Sequence, residues 1–156
     1  MYLNRKIAKI LVHCSASGPK TTIADIRKWH KEQGWSDIGY HFVILSDGTI
    51  EYGRKLEVEG AHCKGHNKDS IGICLVGGKD GTGKLHHFSK KQLDMLQVLI
   101  DGLKLEKPIG IGKVPVFGHR EFNNKKECPC FSVIDTLDNA RYPDEDILCP
   151  HPDKRT

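Results

Sequence analysis

The stretch DIRKWHKEQGWSDIGYHFVILSDGTIEYGR, Asp25 to Arg54, changes periodicity part-way along. Its beginning is helical. With Thr22 ahead of it as N-cap, Ile23, Ile26 and either Trp29 or His30 share one face, and Gly34 ends the run. Its second half is a hairpin. Two β-rich runs flank Ser46-Asp47-Gly48-Thr49, and Asp-Gly supplies the positive φ angles of a tight turn. A helix running directly into a hairpin points to a domain in which helices cover a sheet.

Outward from that centre, KIAKILVHCSA reads as a strand. Ile7, Ile10, Leu11 and Val12 are nearly continuous, as in a strand covered on both faces, and His13 falls at its C-terminal end. On the other side, EGAHCKGHNKDS is a polar loop and SIGICLVGG a short apolar strand closed by glycines. GKDGTGKLHH reads as a loop or a hairpin. SKKQLDMLQVLIDGLKLE is an amphipathic helix. Ser89 and Gln92 form a capping box, and Leu93, Leu96, Leu99, Ile100 and Leu103 lie at helical spacing. KVPVFGHRE gives a further strand ending at His119, SVIDTLDNARY a last helix, and CPHPDKRT a loosely held tail. The expected order is β-α-β-β-β-α-β-α, an α/β fold with helices around one sheet.

The 156 residues fit one domain, and 38% apolar with 28% charged residues is ordinary for a soluble globular protein. The basic, then apolar N-terminus raises the question of a signal peptide. The apolar run Ile7 to Val12 is interrupted by Lys9 and ends at His13, too short and too polar for one, and no span approaches transmembrane length. The chain is therefore expected to be cytoplasmic at synthesis, with no membrane insertion. In that setting the six cysteines read as thiols or metal ligands rather than disulfides. The formal charge of +4 suits an anionic polymer such as cell wall or nucleic acid, and equally a merely soluble protein. GGKDGTGK resembles a phosphate loop only loosely, because Leu85 follows Gly83-Lys84 where a Ser or Thr is needed.

Two of the nine histidines stand apart. His13 and His119 each follow an apolar strand, and strand ends open onto the rim of a sheet. Cys128, nine residues beyond His119, can return to the same rim. Two neutral imidazoles and a thiolate are good zinc ligands, and a fourth position left to water is the layout of a catalytic site. On spacing alone Cys14, Cys63 and Cys130 compete for the sulfur position, and a buried polar cluster is the plain alternative. Lys126, two residues before Cys128, can present an ammonium to an oxyanion, or be a solvated loop charge. Tyr40 can orient water or move a proton, or simply pack on the core. Cys149 and His151, one residue apart, are poorly spaced for a second metal pair.

Together, LVHCSAS, the helix-to-hairpin stretch, GAHCKGHNKDSIGICLVGG and GHRE followed by KKECPCF resemble the type 2 N-acetylmuramoyl-L-alanine amidases, most closely their bacteriophage lysozyme-type members. The resemblance runs from about Lys6 to about Asp135. It implies a central mixed β-sheet flanked by helices, the fold shared with peptidoglycan recognition proteins, with a groove holding one zinc per chain. By motif it implies His13, His119 and Cys128 as metal ligands, Tyr40 and Lys126 as catalytic residues, and His62 as a groove position touching substrate. The implied reaction is hydrolysis of the amide between N-acetylmuramic acid and L-alanine of peptidoglycan. The implied partner is peptidoglycan, with no nucleic acid, for a monomeric phage or prophage endolysin that acts on the wall after release. Cys130 departs from the family's usual serine or glycine. Residues 136–156 of this single domain, 1–156, have no counterpart. The alternative is a non-catalytic peptidoglycan-binding module, which most simply arises by loss of the cysteine ligand.

Overall fold

The computed structural model describes residues 3–105 and 111–138; the tail CPHPDKRT and the end of SVIDTLDNARY lie outside them. In chain order the elements are β1 (Lys9–Cys14), α1 (Ile23–Glu32), β2 (Phe42–Ile44), β3 (Ile50–Tyr52), β4 (Ser70–Leu75), β5 (Gly78–Lys79), β6 (Leu85–His86), α2 (Lys90–Leu105), β7 (Val116–Gly118), a 3-10 turn at His119–Glu121, and α3 (Val133–Asp138). Five strands form one sheet in the order β3-β2-β4-β1-β7. β1 is parallel to both β4 and β7, β2 is parallel to β4, and β3 is antiparallel to β2. The sheet is therefore mixed, as expected. No described helix is long and apolar enough to cross a membrane.

The alternation of strand side chains divides the core. Ile10, Val12 and Cys14 of β1, Phe42 and Ile44 of β2, and Ile71, Ile73 and Leu75 of β4 share one cluster with Leu93, Leu96, Ile100 and Leu103 of α2. On the opposite face Val43 and Cys74 pack with Ile26 of α1, Ile38 and Val76. A strand buried on both faces must be apolar nearly throughout, which explains the unbroken run in β1. His13 is the exception on the α1 side.

Caps fix both long helices. The Thr22 hydroxyl accepts from the Asp25 amide, and the Asp25 carboxylate accepts from the Thr22 amide at 2.8 Å. Ser89 and Gln92 exchange the same pair of bonds at 3.0 and 3.1 Å. The buried Gln92 amide also donates to the carbonyls of Ile44 and Val76, which ties α2 to the ends of β2 and β4. GKDGTGKLHH resolves as the hairpin β5–β6, its turn organised by the Asp80 carboxylate, which accepts from the amides of Thr82 and Lys84. Of the two alternatives for the buried face of α1, His30 takes it and Trp29 does not; the His30 Nδ1 accepts from the Gly39 amide at 2.8 Å. That bond secures the bend leading into Tyr40.

The loop between β3 and β4 is held from beneath. Arg5 donates to the carbonyls of Leu56 and Lys68. The His41 Nδ1 accepts from the Gly72 amide at 3.0 Å, so its Nε2–H donates to the Val58 carbonyl at 2.9 Å. Burial, with Arg5 and Arg54 adding, lowers the His41 pKa from 6.5 to about 4. The unfolded chain therefore takes up this proton near pH 6.5, before the folded chain does. The contribution of neutral His41 is complete above that pH and is lost as pH falls toward 4, on the order of 3 kcal/mol at most. Urea midpoints should drop between pH 7 and 4.5, and the drop should be shallower in His41→Asn, which keeps an acceptor for Gly72 but does not titrate.

Candidate metal centre

The site is a consequence of parallel pairing. β1 and β7 are neighbours in register, Val12 opposite Gly118, so the next residues of both strands leave the sheet at one rim. Those residues are His13 and His119. Their Nδ1 atoms are 3.2 Å apart. The chain then turns through His119–Glu121 and comes back. The Arg120 amide donates to the Cys128 carbonyl at 2.9 Å, and the Cys14 amide donates to the Cys128 sulfur at 3.1 Å. Gly118 permits the return: a Cβ there would stand 2.7 Å from the Pro129 ring and from the Glu121 carboxylate. The ligand atoms of His13, His119 and Cys128 all lie within 4.8 Å of one another.

This donor set fits a zinc ion. Two nitrogens about 2.0–2.1 Å from a tetrahedral centre are separated by about 3.3 Å, against the 3.2 Å found. Both rings are held neutral, as ligands must be. Burial pushes His13 well below its usual 6.5, and His62 and His119 push it the same way. Burial also lowers His119, with the Lys126 ammonium adding.

Among the described residues no competing sulfur joins that group. Cys63 is buried, and Cys14, next to His13 on β1, packs into the α2-side cluster at the edge of the cleft. Its sulfur is 3.9 Å from that of Cys130. The Cys14 thiol is held above its usual pKa first by its hydrogen bond with Cys128, and Cys130 is raised first by Cys14 and then by burial.

Around the centre lies a cleft of about 450 Å³. Tyr40, Lys126 and His62 all line it. The Tyr40 ring centroid is 5.1 Å from that of His13. Burial raises the Tyr40 phenol well above its usual 10, and Cys74, Cys128 and Cys14 add to the shift. His62 is 7% exposed, and both its ring nitrogens have partners: Nδ1 meets His13 Nε2 at 2.8 Å, and Nε2 meets the Ser70 hydroxyl at 3.2 Å. Burial brings the His62 pKa down to about 3. Lining residues that the sequence did not single out include Gln33 and Trp35 beyond α1, Lys79 on β5, and Lys125. Lys79 pairs with Glu127 at 3.3 Å across the rim. Only Lys125 carried a signal, as half of the lysine pair before Cys128.

Compared with known proteins, residues 3–131 match the family model for N-acetylmuramoyl-L-alanine amidase. The chain belongs to this amidase family. It is 51% identical to the endolysin of Escherichia phage T7 over 94 residues, which cover 58% of this chain and 62% of that protein. It is 39% identical to the endolysin of Klebsiella phage KP32 over 132 residues, 83% of this chain and 84% of the relative. Among solved structures, the endolysin amidase LysCS of Clostridium intestinale superposes with a TM-score of 0.73 at 27% identity, covering 88% of this chain and 84% of that one. The family's fold is thus the one built here.

The assignment of sulfurs is open to a direct measurement. Purified protein should carry about one zinc per chain. Cys128→Ser should weaken zinc binding by more than about 100-fold, beyond what loss of an outer partner does. Cys130→Ser should leave it within a few-fold. Competition against a chromogenic chelator reads both, and the reverse order would assign the wrong thiol.

Proposed function

We propose that this chain is a zinc-dependent amidase of peptidoglycan that cuts between the lactyl group of N-acetylmuramic acid and L-alanine of the stem peptide, as a phage or prophage endolysin. The observation that supports this most is the meeting of His13, His119 and Cys128 in the cleft lined by Tyr40 and Lys126, within a chain of this family.

When bound, zinc supplies a hydroxide-like nucleophile from water near pH 7 and polarises the scissile carbonyl. His13, His119 and Cys128 hold it. Lys126 places an ammonium in the cleft, where charge develops on the carbonyl oxygen as the tetrahedral centre forms. Tyr40 places a phenol in the cleft beside His13, where it can donate a hydrogen bond that orients water or the carbonyl. The walls of β1 and α1 exclude solvent from the side on which His13 lies, which strengthens the contacts made there.

Peptidoglycan is the partner on this reading, engaged by a monomer without nucleic acid. The enzyme is made in the cytoplasm and reaches the wall after release.

Two experiments bear on the proposal. Mass analysis of digested peptidoglycan should show intact stem peptides freed from uncut glycan. Cut glycan would mean a muramidase, cut peptides an endopeptidase, and tight binding without products a recognition module. Tyr40→Phe and Lys126→Met should each lower kcat by about 100-fold or more while zinc stoichiometry stays near one.

A further inference from the structure

The resemblance gives His62 only as a groove position touching substrate, yet a buried imidazole against a candidate metal ligand is costly unless every polar atom is satisfied. We propose that His62 is a positioning residue: together with Ser70 it forms a directed hydrogen-bond chain that locks His13 in the one tautomer able to ligate through Nδ1. This rests on the zinc reading of His13 and His119.

The direction follows from the far end. The Ser70 hydroxyl lies 2.7 Å from the His66 carbonyl, which can only accept, so the single hydroxyl hydrogen points there. Ser70 Oγ must then accept from His62 Nε2–H at 3.2 Å. A neutral His62 protonated on Nε2 has its lone pair on Nδ1. That atom, 2.8 Å from His13 Nε2, must accept in turn. His13 therefore carries its hydrogen on Nε2, and its Nδ1 lone pair faces the Nδ1 of His119. Each bond fixes the next, and no arrangement of the neutral rings reverses one bond without breaking another.

The surroundings are shaped to hold the His62 ring in this place. Its backbone amide and that of Cys63 both donate to the Asn67 side-chain oxygen at 2.9 Å. A Cβ at Gly72 would stand 2.6–2.8 Å from three atoms of the ring, and one at Gly60 would stand 2.6 Å from its Cδ2. Ser70 and Gly72 are alternate residues of β4, so one strand face supplies both the hydroxyl that ends the chain and the open floor beneath the ring.

Outer partners of a ligating histidine fix its ring and raise its basicity, and losing one typically costs 10–100-fold in metal affinity. Zinc affinity should thus fall by about that factor in His62→Phe, which removes the acceptor but keeps the ring volume. His62→Asn places its Oδ1 where Nδ1 stood and should restore affinity to within a few-fold of the parent. Ser70→Ala, a small change that leaves the fold in place, should weaken binding in the same direction by releasing the His62 tautomer. In the unsubstituted, zinc-loaded protein, 15N spectra of the imidazoles should show His13 protonated on Nε2 and metal-bound at Nδ1, with His62 protonated on Nε2. His13 bound through Nε2, or His62→Phe and Ser70→Ala holding zinc as tightly as the parent, would overturn the relay and leave the zinc site standing. A parent protein that takes up no zinc would overturn both.

Discussion

The register of β1 between β4 and β7 is the constraint on which the site depends. Parallel neighbours finish at the same rim, so two strands of different length in sequence deliver His13 and His119 to one point. The same pairing buries His13 to 1% exposure. A polar ring at that depth would cost about 1–3 kcal/mol for each nitrogen left without a partner. His62 and His119 remove that cost, one on each side of the ring. One of those two partners, His119, is itself a candidate ligand.

β4 is built to make room for this layer. Its residues Ile71, Ile73 and Leu75 face α2 and fill the main core. The alternate positions Ser70, Gly72 and Cys74 are small and lie beneath the imidazoles and Tyr40. A Val or Ile at Gly72 would satisfy the β-propensity of the strand and destroy the site. The sheet therefore gives up packing on one face to house polar groups, and it does so on the strand that makes the longest parallel pairing, β4 against β1.

Most of this fold was legible in the sequence because its signals are local. The N-cap at Thr22, the capping box at Ser89, the Asp-Gly turn and the apolar run of β1 each depend on neighbours within a few residues. The meeting of His13, His119 and Cys128 was legible for a different reason: each directly follows an apolar strand or precedes a proline in a recognisable string. What the sequence hid depends on distant contacts. His30 proved buried because Gly39 folds back to it, and Trp29 was turned outward in consequence. Trp35 and Lys79 reach the cleft from separate elements, with no spacing that connects them to His13. The small residues of SIGIC did carry a trace, since a strand that is small at every second position needs something bulky above it.

Strand alternation also separates His13 from the thiol next to it. His13 and Cys14 are consecutive, so they point to opposite faces, and Cys14 is directed into the core whatever its chemistry. Cys130 joins it there. Its backbone takes φ 73, and a Cβ on Gly78 would lie 2.6 Å from the Cys14 sulfur and 3.4 Å from that of Cys130. Glycine at 78 is thus required by the sulfur pair as much as by its own φ of 87. Two of the three sulfurs close to the centre are spent on packing beneath β5. Cys128 packs against the same cluster, yet its sulfur also comes within 4.8 Å of the ligand nitrogens of His13 and His119, and the Cys14 amide is directed at it. Reach to the two imidazoles, rather than the face of the sheet, therefore singles out one candidate sulfur among three close neighbours.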